Sequence, residues 1–346
     1  EPDPGTDQAP ERLVMKRDHV RHLVCPKCRL PLHWDTSSAP VPDTVQEGRL
    51  VCGGCRSDYP VRGGVPRFVP VDNYATGFGL QWNRHAATQL DSHTGIPLTE
   101  ERFFRATGWP RNLAGQTILE VGCGAGRFTE QVAKTGAMAL SLDYSAAVDA
   151  NQASNGHREN VLIVQGDAYA MPFAHDSFDR VFCLGVLQHT PDVRKTFLEL
   201  PKYLKPGGHL AVDVYKRFPW WKQWTITKYW ARPFTRRMDP GTLYGRVEAY
   251  IRFMWPLCRW INLLPKGRNL NWKLLVADYR GLYPLDERLL RDWAVLDTYD
   301  MLAPAYDQPQ TLETLQGWFQ EAGLVEVDFG YGLNGHEGRG RRPSRG

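Results

Sequence analysis

Between residues 117 and 214, short and nearly continuous apolar runs alternate with segments whose apolar residues recur at helical spacing. This pattern predicts strands at 117–121, 139–142, 161–165, 180–184 and 209–214, with helices at 127–135, 145–155 and 193–203. The strands lack the strict in–out alternation of a sheet with one wet face. They therefore predict a parallel sheet covered by helices on both sides, an α/β architecture. The rhythm stops after Tyr215 and resumes as a helix at 311–322 and a strand at 324–329. Residues 113–215 and 297–340 thus read as one domain interrupted by an insertion, 216–296.

Before residue 113 the pattern changes. Residues 1–20 are polar, Pro-rich and without an apolar period, and read as a flexible lead. Residues 21–71 form a small module with β-type stretches at 49–52 and 57–61 around a Pro/Ser/Asp loop. Residues 72–112 mix aromatic and polar side chains and predict a largely helical connector.

Composition adds limits. The 346 residues, 42% hydrophobic and 23% charged, are those of an ordinary globular protein, and a net charge of +4 does not by itself imply a nucleic-acid or membrane partner. No apolar run approaches the ~20 residues that cross a bilayer, and residues 1–10 lack the basic and apolar parts of a secretory signal. A cytoplasmic location is expected.

Four of the seven cysteines form two C-x-x-C turns, Cys25 with Cys28 and Cys52 with Cys55, separated by a spacer of 23 residues. Each turn can present two thiolates to one tetrahedral ion. With all four positions taken by cysteine the metal, zinc, should be structural and not catalytic. The stretches LVCPKCRLPL and LVCGGCRSDYPVRGGVPRFV resemble the zinc-ribbon module of the tRNA-methyltransferase-activator type, which occurs fused to several methyltransferases or as their activator subunit.

Residues 118–129 read ILEVGCGAGRFT. Glycines after a strand let backbone approach a ligand, but G-x-G-x-G alone also suits dinucleotide enzymes and a plain strand–helix turn. Downstream acids narrow the choice. Asp143 ends the second strand 23 residues after Glu120, a spacing suited to ribose hydroxyls, and Asp167 ends the third, where it can receive an adenine amino group. The loop lacks the Lys-Ser/Thr pair of a phosphate loop, and Glu120 would repel a phosphate while suiting a sulfonium and its ammonium.

Together ILEVGCGAGRF, LSLDYS, QGDAYAMPF, FDRVFCLGVLQHTPD and LKPGGHLAVDVY resemble, in order and spacing, class I S-adenosylmethionine-dependent methyltransferases of the ubiquinone-biosynthesis type. The resemblance implies a Rossmann-like, doubly wound, mostly parallel seven-stranded sheet. It also implies that Glu120, Gly122, Gly124, Asp143, Tyr144, Asp167 and Ala168 hold S-adenosylmethionine, with Gly185 and Val186 beneath it. Such enzymes usually carry a lid before the fold, which makes Gln81, Trp82 and Arg84 candidates for cofactor contact. Packing on a surface helix is the alternative for these three.

Methyl transfer is an in-line displacement, so the enzyme mainly aligns the acceptor and excludes water, and a hydroxyl acceptor also needs a base. Ligands of such sheets lie beyond the carboxyl ends of the strands. Candidates there are His189, Asp213 and Tyr215, and Asp297, Asp300 and Tyr306 from the segment after the insertion. Each has a packing, capping or turn role as its alternative.

Residues 216–273 hold seven tryptophans among thirteen Lys and Arg, with Asp239 and Glu248 the only acids. Three readings stand side by side: a pocket for a small-molecule, glycan or lipid-linked acceptor; docking at an anionic membrane, which would place the protein at its inner face; and RNA binding. The last is disfavoured by the absence of an N/D-P-P-Y/F tetrad and by the position of the basic cluster outside the cysteine module. A non-enzymatic, partner-binding protein on the same fold would show a damaged cofactor site, and this one is intact by residue type.

Overall fold

The computed structural model describes residues 13–37, 39–70 and 73–344. Positions 1–12 of the expected lead lie outside the described residues. Residues 13–20, read from the sequence as its continuation, instead join the N-terminal module. Strand β1 (Met15–Lys16) pairs with β3 (Thr44–Val45), Met15 and His19 are buried, and Lys16 Nζ lies 2.6 Å from Glu159.

That module is completed by β2 (Leu32–Trp34), β4 (Gly48–Cys52), β5 (Asp58–Arg62) and β6 (Val65–Pro66), an antiparallel sheet in the order β2-β4-β5-β6. Helices α1 (Thr76–Arg84), α2 (Asp91–Thr94) and α3 (Leu98–Thr107) follow. The large sheet begins with β7 (Thr117–Val121), α4 (Arg127–Lys134), β8 (Met138–Asp143), α5 (Val148–Asn155), β9 (Val161–Gln165) and β10 (Phe178–Cys183). Helix α6 (Val193–Glu199) and β11 (Leu204–Val214) complete its parallel part. Five further helices are α7 (Trp220–Gln223), α8 (Lys228–Thr235), α9 (Pro240–Ile261), α10 (Gly267–Lys273) and α11 (Glu287–Leu302). Helix α12 (Leu312–Glu321), capped by the Thr311 hydroxyl, leads to β12 (Val325–Tyr331) and β13 (His336–Arg341).

The large sheet has seven strands in the order β12-β13-β11-β10-β7-β8-β9. The five strands from β11 to β9 run parallel, and β13 is antiparallel to both β11 and β12. Leu119, Leu140, Leu162, Val181 and Leu210 fill one face, and Ile118, Ala139, Ile163, Phe182 and Ala211 the other. Burial on both faces is why these strands read as continuous apolar runs. The order reverses direction between β7 and β10, which opens the crevice where ligands of such sheets bind. Strand β13 was not expected from the sequence. It is polar and Gly-rich, yet it is held between β11 and β12 with Phe319 over Gly338 and Gly340. Helix α11 runs unbroken through position 297, so the expected boundary between the insertion and the returning domain falls inside a helix.

The N-terminal module covers the open edge of the sheet at β9. Arg67 bridges to Gln165 in parallel fashion, Phe68 N donates to Gln165 O at 2.8 Å, and Arg67 is ion-paired with Asp149. On the other flank, Arg29 reaches the carbonyl of Met171 at 2.9 Å and the Tyr203 hydroxyl at 3.2 Å. An exposed edge strand would be free to pair with other chains, so this docking also removes an aggregation hazard.

Candidate active site and metal centre

At the carboxyl ends of β7, β8, β9 and β10 lies a cavity of about 940 Å³, near the upper end for a ligand pocket. Its floor is the loop after β7. Gly122 has φ 84°, and a Cβ there would stand 2.3 Å from Val186 Cγ2, so only glycine leaves this wall open. Asp143 closes the loop from β8. Its carboxylate accepts from Gly124 N at 2.8 Å and from the backbone N and hydroxyl of Ser145 at 2.8 and 2.7 Å. Burial raises the pKa of Asp143, and these hydrogen bonds oppose the rise.

Gly122, Gly124, Asp143, Tyr144, Asp167, Ala168, Gly185, Val186 and Trp82 all border this cavity. So do His189, Tyr215, Asp297 and Asp300. Five expected residues do not line it, and four of them have side chains engaged elsewhere. Glu120 is buried between β7, β8 and α4, where its carboxylate accepts from the hydroxyls of Thr129 and Ser141. Gln81 turns toward the Leu296 carbonyl, 3.3 Å away, and the Arg84 guanidinium sits 4.3 Å from the centre of the Tyr244 ring. Asp213 is buried against Gly185 N and the guanidinium of Arg102, 3.1 Å away. Tyr306 contributes its backbone carbonyl, which lies 3.0 Å from His189 Nδ1.

The structure adds residues that the sequence did not single out. Arg127 borders the cavity beside the glycine loop, donates to Gln89, and keeps a buried Nε without a hydrogen-bond partner among the described residues. Burial, with Arg102 nearby, pulls its pKa down to about 9. Tyr74 stacks on Tyr144 with ring centroids 4.8 Å apart, forming a second aromatic wall. Its only sequence signal was the aromatic content of the connector. Tyr279, Tyr283 and Trp293 form a ring cluster on the cavity wall, where the Tyr279 hydroxyl donates to Asp297. Burial and the neighbouring Asp300 push Asp297 up to about 7, while the Tyr279 bond opposes the rise. Tyr215 lies 3.4 Å from Asp300 through its hydroxyl, and burial drives its pKa well above the ordinary tyrosine value.

The donor set suits an adenosyl amino-acid cofactor. Acidic groups stand at the ends of β8 and β9 for ribose and adenine. The glycine wall admits a close ligand, and the orphaned Nε of Arg127 matches a carboxylate. The cysteines likewise fit zinc. Among the described residues, the Sγ atoms of Cys25, Cys28, Cys52 and Cys55 all lie within 4.8 Å of one another. The Cys25–Cys55 and Cys28–Cys52 pairs are 3.5 and 3.3 Å apart, near the ~3.8 Å edge of a tetrahedron with Zn–S bonds of about 2.3 Å. The Tyr59 hydroxyl, 3.3 Å from Cys25 Sγ, supplies an outer partner.

Comparison with known proteins agrees with both centres. A methyltransferase-domain family model matches residues 119–212, and a Trm112p-like protein family model matches residues 19–64. The methyltransferase GfsG of Streptomyces halstedii is 36% identical over 152 residues, covering 42% of this chain and 52% of that protein. The ubiquinone biosynthesis O-methyltransferase of Pectobacterium atrosepticum is 30% identical over 175 residues, covering 49% of this chain and 70% of that protein. A solved phosphoethanolamine N-methyltransferase 2 from Haemonchus contortus, in complex with S-adenosyl-L-methionine, aligns over 83% of this chain and 62% of its own, with 15% identity and a TM-score of 0.42. The chain spans about half the length of curated relatives such as the Streptomyces protein. By its sheet order and by its match over most of the Pectobacterium protein, the chain belongs to the class I S-adenosylmethionine-dependent methyltransferases and carries a zinc-ribbon-type four-cysteine module at its N-terminal side.

Proposed function

We propose that the protein transfers the methyl group of S-adenosylmethionine to a hydroxyl of an elongated, lipid-linked acceptor, with His189 taking the hydroxyl proton. The observation that carries this reading is the state of the imidazole. A carbonyl oxygen only accepts, so the contact with Tyr306 places a proton on Nδ1, and in the neutral ring the lone pair then sits on Nε2. Nε2 is buried and has no hydrogen-bond partner among the described residues, and the ring borders the cavity with Tyr215 and Phe78 edge-on at 5.3 Å. An oriented imidazole nitrogen without a partner among the described residues, on a ring that borders the cavity beside the cofactor loop, suits a general base for a hydroxyl acceptor.

When bound, the cofactor supplies a methyl carbon activated by positive sulfur. Asp143 would hold its ribose, Asp167 its adenine amino group and Arg127 its carboxylate, while Tyr74, Phe78 and Trp82 wall off water. Toward the acceptor, Tyr279 with Asp297 and Tyr215 with Asp300 offer paired donors and acceptors for a hydroxylated head. Phe218, Ile226, Tyr229, Leu282 and Leu333 line the rest of the cavity and suit an apolar remainder. The Pectobacterium relative, named for O-methylation in ubiquinone biosynthesis, supports an acceptor of this kind.

The test supplies methyl-labelled S-adenosylmethionine with separate lipid, glycan and RNA fractions. Label in the lipid fraction, lost in His189→Ala, is the expected result. Label confined to RNA or glycan overturns the lipid-linked acceptor.

A further inference from the structure

Helix α9 has three faces. Leu243, Val247, Ile251, Met254 and Cys258 are buried against the neighbouring helices. Phe253, Leu257 and Trp260 follow one another at spacings of four and three residues, so they form a single stripe, and it points into solvent with exposures of 47–76%. Leu263 and Leu264, also exposed, extend the apolar surface into the next turn. Arg252 and Arg259, two turns apart on the same helix, flank that stripe, and Lys266 follows in the turn. A second exposed aromatic group, Trp220, Trp221, Trp224, Trp230 and Phe234, lies on α7 and α8.

We propose that this insertion is a docking surface for an anionic lipid bilayer, which the protein meets peripherally and from which its acceptor enters the cavity. Three observations select that occupant. First, residues 216–273 carry thirteen Lys and Arg against two acids, and among the described residues only Lys228, Arg232 and Arg252 of these have a carboxylate partner. A two-fold contact with a second copy would set this positive surface against itself, whereas anionic headgroups complement it. Second, the exposed groups combine aromatic rings with aliphatic Leu257, Leu263 and Leu264. Aliphatic side chains in such a stripe suit the acyl boundary and contribute nothing to stacking on nucleic-acid bases. Third, the α7–α8 stretch, which carries the second aromatic group, and α10, which follows the α9 stripe in the chain, also line the cavity. Phe218, Ile226 and Tyr229 face it from the stretch that holds the exposed tryptophans, and Trp272 faces it from α10. No helix of the described residues is long and apolar enough to span a membrane.

The partner deepens the lipid-linked acceptor reading and rests on it, but binding to vesicles is measured without methyl transfer, so the two fail separately. The full chain is sedimented with vesicles of phosphatidylcholine alone and with vesicles in which about a third of the lipid is phosphatidylglycerol. Binding to the second and not the first, weakened by salt, is expected. The triple variant Phe253→Ser, Leu257→Ser, Trp260→Ser and the triple variant Arg252→Glu, Arg259→Glu, Lys266→Glu should each lose about tenfold or more of that binding. Both should keep wild-type affinity for S-adenosylmethionine in calorimetry, which shows that they are folded. The proposal is overturned if the wild type ignores both vesicles, if either folded variant binds like the wild type, or if the apolar variant converts a dimer to a monomer. It is overturned equally if a short RNA displaces the protein from the vesicles.

Discussion

His189 Nδ1 lies 3.0 Å from the backbone carbonyl of Tyr306, so a residue of the loop after α11 fixes the proton of a histidine that follows β10. The pairing ties the far side of the insertion to the catalytic end of the sheet. If Nε2 is the base, His189→Ala lowers methyl transfer to a hydroxyl acceptor by about 10²–10⁴-fold. Affinity for S-adenosylmethionine should stay near the wild-type value, since no cofactor contact is assigned to the ring. Turnover and calorimetry on the same preparation check both halves. A variant that transfers methyl groups at the wild-type rate would leave His189 a packing residue.

Asp143 carries a second prediction. Its carboxylate holds Gly124 N and both polar groups of Ser145 while bordering the cavity where a ribose would lie. Charge-assisted hydrogen bonds are the stronger kind, so Asp143→Ala should weaken cofactor binding about ten- to a hundredfold. Calorimetric titration with S-adenosylmethionine measures it, and unchanged affinity removes the ribose assignment.

The contrast between these residues and those that fell elsewhere shows what a sequence can carry. The parallel strands were legible because burial on both faces forces continuous apolar runs, and Asp143 and Asp167 because strand length sets their spacing from the glycine loop. Strand β13 was not, because HEGRGR has no apolar pattern; its place comes from β11 and β12 on either side and from Phe319 packing where Gly338 and Gly340 lack a Cβ. Arg127 stood inside the recognised motif, yet its value depends on an orphaned Nε that only the folded chain creates. Tyr279, Tyr283 and Trp293 meet because the chain leaving α10 packs back onto α11, and no apolar pattern in the sequence encodes that return.

Removing the metal should be felt beyond the cysteine module. Cys25 and Cys52 are buried, and the module's last strand continues through Arg67 and Phe68 onto Gln165, whose side chain in turn donates to the Tyr144 carbonyl at 3.2 Å. Zinc ribbons depend on the ion for folding. Cys25→Ser, or treatment with a strong chelator, is therefore expected to lower the melting temperature of the whole chain and to weaken S-adenosylmethionine binding through Tyr144. Zinc stoichiometry, thermal unfolding and calorimetry are the measurements. A full equivalent of zinc retained in the Cys25→Ser variant would contradict the four-thiolate site.

Glu120 supplies a pH-dependent prediction that separates a structural acid from a ligand. Burial raises its carboxyl from the ordinary 4.5 to about 8, against the opposing hydrogen bonds from Thr129 and Ser141. The folded-state value is thus the higher one. Its contribution to stability is full below pH 4.5, where both states are protonated, and is lost as the pH rises toward 8, because the unfolded chain releases a proton that the folded chain retains. Thermal unfolding at pH about 5 and about 9 should show a fall for the wild type that Glu120→Gln reduces, since a neutral amide has no proton to release. Because Glu120 does not reach the cavity, the same substitution should leave cofactor affinity nearly unchanged, unlike Asp143→Ala. A large loss of S-adenosylmethionine binding in Glu120→Gln, with the pH slope intact, would place the carboxylate on the cofactor after all.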